Sequence, residues 1–320
     1  MVTGTVGLRG RSLTCIRDLS IPELAQVLAT AASLKRRWRA GDRPRLLPGR
    51  VLALLLEKPS LRTRVSFEVA MRQLGGDAVS LLPQEIGLGE RESVVDVARV
   101  LSRYVDAIVL RTFAHQSVTD MAAQASVPVI NGLSDRSHPC QALADLLTIA
   151  EHRGRLRGVR VAFVGDGGNN VAHALLLAAA KSGLHLRIAC PPGYEPLPDM
   201  LASARADAAR TGAELDVVYD PAAAVEGADV VYTDVWTSMG QEAEQHLRRA
   251  VFATYRVDAP LVARAVPDAV VMHDLPAHRG EEITDDVVDG PRSVVYDQAE
   301  NRLHAQKAVL VHLLADSVLG

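Results

Sequence analysis

Short apolar runs alternate with stretches of helical periodicity along this chain. Seven runs predict buried strands, at 51–56, 107–110, 127–130, 161–164, 186–189, 230–233 and 269–273. Between several of them, apolar residues recur every three or four positions, at 65–74, 94–102, 140–152 and 171–182. Such alternation is typical of α/β proteins, in which helices cover both faces of parallel sheets.

A polar turn at 153–158 separates a long helical stretch from the next strand. It predicts two doubly wound parallel-sheet domains, 1–152 and 153–302, each long enough to bury its own core. The last stretch, 303–320, is predicted to be helical. Ligands of doubly wound sheets bind at the carboxyl ends of the strands, so we expect an active site in the cleft between the domains.

The composition excludes several broad classes of function. Of 320 residues, 48% are hydrophobic and 23% are charged, and the net charge is −3, which is typical of a soluble globular protein and indicates neither a nucleic-acid nor a membrane partner. No apolar run has the length of a signal peptide or a membrane span. The three cysteines, Cys15, Cys140 and Cys190, lie far apart and predict neither a disulfide framework nor a metal site. We therefore expect a cytoplasmic protein.

The turn after the first strand carries the clearest chemical signal. Ser60, Arg62, Thr63 and Arg64 lie between the strand 51–56 and a helical stretch that ends at Gly75. Hydroxyl groups, guanidinium groups and the unpaired N–H groups of a helix start would converge there, and these are the donors that a phosphate needs. The alternative is a charged turn whose arginines point into water.

Further polar residues occur at predicted strand and helix ends. Arg111 follows the strand 107–110, and His138 and Gln141 lie three residues apart at a helix start that contains Pro139. That spacing lets both side chains face one ligand. Alternatively, Arg111 is a surface arginine and the His/Gln pair caps the helix.

A glycine-rich turn follows the strand 161–164 and resembles a dinucleotide-binding fingerprint only superficially. The position of its last glycine is taken by Asn170, and the next strand runs into Cys190-Pro191-Pro192 rather than an acidic residue that would bind a ribose. The sequence therefore predicts no nucleotide cofactor.

Five motifs occur in the order found in the aspartate/ornithine carbamoyltransferases, and they resemble the ornithine branch. They are Ser60-Leu61-Arg62-Thr63-Arg64, Arg111-Thr112-Phe113, His138-Pro139-Cys140-Gln141, the segment 234–240 and the segment 301–306. The resemblance covers nearly the whole chain. It implies transfer of the carbamoyl group of carbamoyl phosphate to a primary amine of an ornithine-like acceptor, which yields phosphate and a ureido product. It also implies no cofactor or metal, small-molecule substrates only, a terminal helix packed on the first domain, and a homotrimer or a multiple of trimers to whose active sites the segment 84–92 could contribute.

The resemblance also implies roles for individual residues. The residues that would bind the phosphate are Ser60, Leu61 (through its backbone), Arg62, Thr63 and Arg111. Those that would surround the carbamoyl oxygen are Thr63, Arg111, His138 and Arg302, while Gln141 would bind the carbamoyl nitrogen. In the second domain Asn170 would bind the α-carboxylate of the acceptor and Asp234 its α-ammonium group, and Ser238-Met239-Gly240 would close over it. Residue 274 and the Leu275 carbonyl would lie beside the attacking amine. Without the resemblance, Asp234 reads as a strand-end cap and 238–240 as a plain turn.

Three positions depart from the family pattern. Gly167-Gly168 makes the glycine-rich turn one residue longer, Leu61 replaces the commoner Thr, and Asp274 stands where the family has Cys. A carboxylate at 274 would raise the pKa of a nearby amine and oppose its attack, unless Asp274 takes the proton as general base. It would also repel the phosphate. We therefore hypothesise an acceptor other than plain ornithine. Two alternatives stay open: an ordinary ornithine carbamoyltransferase of arginine biosynthesis that makes citrulline, and a non-catalytic carbamoyltransferase-like binding or regulatory protein.

Overall fold

A computed structural model describes residues 7–316, except 90, 238, 239 and 241. The chain divides into two compact units. Unit 1 comprises the described parts of Met1–Leu143 and Arg302–Gly320, and unit 2 comprises Ala144–Asn301. Both divisions fall inside helices, whereas the sequence predicts a boundary in the turn at 153–158; that boundary stays a prediction.

Unit 1 is built on a four-stranded parallel sheet whose strand order is β2-β1-β3-β4. Its strands are β1 (Val51–Leu56), β2 (Asp77–Leu81), β3 (Ala107–Arg111) and β4 (Val129–Leu133). The helices of this part of the chain are α1 (Ile21–Arg39), α2 (Leu61–Leu74), α3 (Pro83–Ile86), α4 (Val94–Leu101), α5 (His115–Gln124) and α6 (Pro139–Arg153), the last of which continues into unit 2.

Unit 2 is built on a five-stranded parallel sheet whose strand order is β7-β6-β5-β8-β9. Its strands are β5 (Arg160–Val164), β6 (His185–Ala189), β7 (Leu215–Val218), β8 (Val230–Thr233) and β9 (Val270–Met272). The remaining helices are α7 (Asn170–Ser182), α8 (Pro198–Thr211), α9 (Pro221–Val225), α10 (Gln245–Phe252), α11 (Ala259–Val262), α12 (Asp285–Val288) and α13 (Val295–Leu314), which ends in unit 1.

The predicted fold class, two doubly wound parallel-sheet domains, is confirmed. All seven predicted strands are present, although β4 begins and ends later than the run 127–130. The sequence missed β2 and β7, which are edge strands. Their residues are mostly half-buried or exposed, so neither strand shows the continuous apolar run of a central parallel strand.

Each unit has its own apolar core. In unit 1, apolar residues of the sheet such as Leu55 and Ile108 pack with Val97, Val118 and Met121 of the covering helices. In unit 2 the helix α7 is buried on all sides, which explains its almost uninterrupted run of Ala and Leu. None of the described helices combines the length and the apolar character that crossing a membrane requires.

Candidate active site

The turn between β1 and α2 shows how the phosphate motif is built. Ser60 is the N-cap of α2, and its Oγ accepts a hydrogen bond of 3.2 Å from the backbone N–H of Thr63. Arg62 and Thr63 lie in the first turn of α2, at the positive end of the helix dipole. Leu61 is 77% exposed, which is consistent with a contribution from its backbone only.

Five buried polar side chains of unit 1 meet beside this turn, and all of them were predicted from the sequence or from the family resemblance. Arg302 donates to Oε1 of Gln141 over 2.7 Å and to Nε2 of His138 over 3.3 Å. Arg302 and Arg111 both donate to Oγ1 of Thr63, over 3.4 and 3.3 Å. The cluster is contributed by α2, β3, α6 with the residue that precedes it, and α13, from positions as far apart as 63 and 302.

His138 is neutral in this cluster. Burial lowers its pKa well below the usual value, and the charges of Arg302, Arg111 and Arg62 lower it further. Because a guanidinium group only donates, Nε2 of His138 is an acceptor and the ring proton lies on Nδ1. The arginines therefore supply the positive charge here, and an anion would offset it.

All three cysteines are buried, and their thiols have raised pKa values. Burial raises the pKa of Cys140, which lies next to Gln141, to about 11 and that of Cys190 to about 12, and it raises the pKa of Cys15 as well. A protonated, buried thiol is a poor nucleophile. Cys140 is therefore a packing residue, although it lies within a predicted substrate motif.

In unit 2 the glycine-rich turn joins β5 to α7. Oδ1 of Asp166 accepts a hydrogen bond of 2.9 Å from the N–H of Gly168. A Cβ atom on Gly167 would lie 2.9 Å from the carbonyl oxygen of Tyr194, so this position excludes any side chain. Asn170, the predicted acceptor-binding residue, is the first residue of α7 and is 8% exposed.

Sequence reasoning missed Asn169. It is the N-cap of α7: its Oδ1 accepts from the N–H of Ala172 over 2.7 Å, while its Nδ2 donates to Oδ2 of Asp234 over 3.0 Å. Asparagine before an apolar helical stretch is a cap signal, so the sequence could have indicated its position at the start of α7. No sequence pattern indicated its contact with Asp234.

Asp234 and Asp274 lie next to each other at the carboxyl edge of the unit 2 sheet. They follow the neighbouring parallel strands β8 and β9, and a side-chain atom of each lies within 4.8 Å of the other. Burial raises the pKa of Asp234 well above its usual value, and the charge of Asp274 and a hydrogen bond with it raise it further. Asp234 is therefore protonated more readily than an ordinary aspartate when no cation lies beside it.

His273, which precedes Asp274, is fully buried and has both ring nitrogens engaged. Nδ1 accepts from the N–H of Leu275 over 2.9 Å, so the proton lies on Nε2, which donates to Glu282 over 3.1 Å. The ring thus has no lone pair left for a metal ion. Asp234, His273 and Asp274 could otherwise have formed a metal site, but they offer a cation only carboxylate oxygens.

The backbone that carries Asp274 is held in an unusual conformation. Leu275 has a φ of 60°, in the left-handed region, and the N–H of His273 donates to Gln298 over 2.9 Å. Gln298 in turn donates to the buried Asp145, which also accepts from the hydroxyl of Tyr232. A buried polar network therefore fixes the position of Asp274.

Two predicted acceptor residues, Ser238 and Met239, lie outside the described residues. Their neighbour Gly240 is described and has a φ of 96°, which favours glycine.

Comparison with known proteins adds independent findings. Residues 11–151 match the family model "Aspartate/ornithine carbamoyltransferase, carbamoyl-P binding domain", and residues 157–313 match "Aspartate/ornithine carbamoyltransferase, Asp/Orn binding domain". An ornithine carbamoyltransferase from Pyrococcus abyssi is 55% identical over 315 residues, which cover 98% of this chain and 99% of that protein. The solved ornithine carbamoyltransferase of Pyrococcus furiosus matches with a TM-score of 0.94 at 54% identity, covering 97% of this chain and 99% of that one. The anabolic enzyme of Campylobacter jejuni matches with a TM-score of 0.89 at 35% identity, covering 94% and 97% of the two chains.

Proposed function

The chain belongs to the aspartate/ornithine carbamoyltransferase family, and we propose that it transfers the carbamoyl group of carbamoyl phosphate to the side-chain amine of ornithine or an ornithine-like amino acid. The observation that carries this proposal is the buried cluster of Thr63, Arg111, His138, Gln141 and Arg302 beside the Ser60 turn. The names of the relatives support ornithine as the first acceptor to test.

The reaction chemistry matches this cluster. The amine nitrogen forms a bond to the carbamoyl carbon, the bond from that carbon to the phosphate oxygen breaks, and the nitrogen loses a proton. Negative charge develops on the carbamoyl oxygen, where Thr63, Arg111 and Arg302 are the proposed donors. The departing phosphate would remain with Ser60, the backbone of Leu61, and Arg62. Gln141 would accept a hydrogen bond from the carbamoyl NH₂ group.

The proposed acceptor site uses residues of unit 2. Asp234 would bind the α-ammonium group, and its oxygen is already oriented by Asn169. Asn170 would bind the α-carboxylate from the start of α7, where the helix dipole favours a negative charge. The Leu275 carbonyl, Ser238 and Met239 remain proposed acceptor contacts on the family pattern.

The contact between Asp234 and Asp274 favours a second candidate, an acceptor with an additional positive charge. Oδ1 of Asp274 is buried and has no hydrogen-bond partner among the described residues. The pair carries up to two negative charges, so a cation is the ligand that it suits best. With ornithine, Asp274 would instead be the base that takes the proton of the attacking amine.

A single panel assay tests these proposals. Purified protein receives carbamoyl phosphate and one amine at a time: ornithine, lysine, 2,4-diaminobutyrate, 2,3-diaminopropionate, putrescine or N-acetylornithine. Ureido product and released phosphate are measured in parallel. Spermidine, which carries a third amine, is added to the panel for the second candidate, and preference for ornithine over all of these amines by a wide margin would reject that candidate. Phosphate release without amine dependence would indicate hydrolysis instead of carbamoyl transfer, and no turnover at all would favour a binding or regulatory role.

On the family pattern we also propose a homotrimer or a multiple of trimers that works in the cytoplasm. Sedimentation equilibrium of the purified protein tests the assembly, and a monomeric mass at micromolar concentration would contradict it.

A further inference from the structure

We propose that Arg248 is a positioning residue of the acceptor site, because it ties together the backbone segments that carry the acceptor-binding side chains. Arg248 lies on α10 and is only 6% exposed. None of its hydrogen bonds given below involves Asn170 or Asp234, so its effect on the acceptor would be exerted through other residues.

Three hydrogen bonds define its role. Nη1 of Arg248 donates to Oδ2 of Asp166 over 2.7 Å and to the carbonyl oxygen of Trp236 over 3.0 Å. Nε donates to Glu244 over 2.9 Å. One guanidinium group on α10 therefore joins the glycine-rich turn to the chain just after Asp234, while its bond to Glu244, the N-cap of the same helix, holds the side chain in place.

These partners are direct neighbours of the acceptor residues. Asp166 accepts from Gly168 and so shapes the turn that leads into Asn169 and Asn170. Trp236 is two residues beyond Asp234. The hydrogen bond from Asn169 to Asp234 links the same turn to the same chain a second time. Loss of Arg248 would therefore loosen both segments that make this hydrogen bond.

The geometry requires an arginine. Only a planar guanidinium group can bind a carboxylate, a carbonyl and a second carboxylate in fixed directions, whereas a lysine ammonium is a single point of charge. The guanidinium also lies 5.1 Å from the ring centre of Tyr194. Asp166 and Arg248 are both buried, so removal of Arg248 leaves the Asp166 carboxylate without its cation.

The test compares steady-state constants for Arg248→Gln, Arg248→Lys and Asp166→Asn with those of the wild-type protein. We expect kcat/KM for the acceptor to fall by up to about a hundredfold in Arg248→Gln, the loss that a misplacement of roughly 1 Å can cause, mainly through a higher acceptor KM. The KM for carbamoyl phosphate should change less than about twofold, because the residues proposed to bind it belong to unit 1. The acceptor KM of Arg248→Lys should lie between those of the wild type and Arg248→Gln. The free-energy cost of the double variant Arg248→Gln with Asp166→Asn should be smaller than the sum of the costs of the two single variants.

Arg153→Gln is the matched control. Arg153 is also a largely buried arginine of unit 2 that donates to two aspartates, Asp229 over 3.2 Å and Asp268 over 3.0 Å. None of the acceptor residues is among those partners. Its loss should lower the melting temperature and leave the acceptor KM unchanged.

A binding measurement makes the test independent of turnover. Norvaline, which is ornithine without its side-chain amine, is titrated while the fluorescence of Trp236 is followed in a Trp38→Phe background. That background leaves Trp236 as the only tryptophan of the chain. Weaker norvaline binding in Arg248→Gln than in Arg153→Gln supports the proposal.

This inference rests on the proposed function, and the two can fail separately. Equal acceptor KM values and equal norvaline affinities in Arg248→Gln and Arg153→Gln would overturn the role of Arg248 while leaving carbamoyl transfer intact. A wild-type protein that carbamoylates no amine but binds norvaline would overturn the reaction, and the titration would still decide the role of Arg248. A wild-type protein that neither carbamoylates any amine of the panel nor binds norvaline would overturn both. If Arg248→Gln fails to fold, the acceptor KM and norvaline affinity of Arg248→Lys and Asp166→Asn are compared with those of Arg153→Gln instead.

Discussion

Asn169 donates a hydrogen bond of 3.0 Å to Asp234, across 65 residues of sequence, while the oxygen of the same amide caps α7. One side chain therefore begins the helix behind the proposed acceptor site and orients a carboxylate in that site. The two roles use different atoms, so substitutions can separate them.

Asn169→Ser should retain the helix cap and lose the donor to Asp234. We expect its melting temperature to stay near that of the wild type, because serine caps about as well as asparagine. Its acceptor KM should rise roughly tenfold, for a lost hydrogen bond to a charged group of about 1.5 kcal/mol. Asn169→Ala should show the same rise and in addition lose about 1 kcal/mol of unfolding free energy. An unchanged KM in both variants would show that Asp234 does not depend on Asn169.

Arg62→Gln should reduce kcat/KM for carbamoyl phosphate by roughly a hundredfold or more, since a charged group that stabilises the transition state is worth about 3 kcal/mol. Arg72→Gln is the matched control, because Arg72 is an exposed arginine in the last turn of the same helix. Steady-state kinetics with a saturating acceptor measure both. Equal losses in the two variants would mean that Arg62 acts through general charge rather than through the phosphate site.

The low pKa of His138 predicts how acid affects stability. The folded protein keeps this histidine neutral, whereas the unfolded chain protonates it below a pH of about 6.5. Unfolding then takes up a proton, so the unfolding free energy falls as the pH drops below that value. His138→Asn should lose less stability than the wild type between pH 8 and pH 5.5, as measured by urea unfolding. An equal loss would contradict a neutral, buried His138.

Asp274→Asn should stabilise the folded protein at pH 8. Burial and the neighbouring charge of Asp274 raise the pKa of Asp234, so this contribution to stability is present at low pH and is lost as the pH rises. Asparagine removes the neighbouring charge and can donate to Asp234. A gain of about 1 kcal/mol would raise the melting temperature of a domain of this size by roughly 2–4 °C at pH 8. The gain should shrink towards pH 4, and a gain that does not depend on pH would point to packing instead.

Asp274→Cys should shift the acceptor preference towards ornithine, because it removes the second carboxylate and restores the residue of the family pattern. The measurement is the ratio of kcat/KM for ornithine to that for each other amine of the panel. Asp274→Ser serves as the control for size without a thiol or a charge. An unchanged ratio in both variants would exclude residue 274 as a determinant of the acceptor.

The sequence predicted most of unit 1's candidate site because all of its residues except Arg302 lie at a strand end or near a helix start. Ser60 and Arg62 lie between an apolar run and a helical stripe, and Arg111 ends a buried strand. Local patterns of this kind mark strand ends, and parallel strands bring those ends to one edge. What the residues alone could not supply was the meeting of Arg302 with His138 and Gln141, since it depends on where α13 packs.

The candidate site of unit 2 was harder to predict from the sequence, for a physical reason. The position at which α7 begins, after Gly167-Gly168, decides whether Asn169 or Asn170 is the cap, and glycines do not fix that position. The contact between Asp234 and Asp274 requires β8 to lie beside β9, and strand order is a property of the whole sheet. Arg248 could not be recognised, because nothing local distinguishes a buried arginine on an amphipathic helix from an exposed one.

The buried thiols have a practical consequence for spectroscopy. Cys15, Cys140 and Cys190 are buried and stay protonated at neutral pH, so maleimide dyes and nitroxide spin labels should leave all three unmodified. A cysteine introduced at an exposed position such as Tyr104 or Tyr296 could then be labelled selectively in the native background. The signal of such a label would then come from one known position without removal of any natural cysteine.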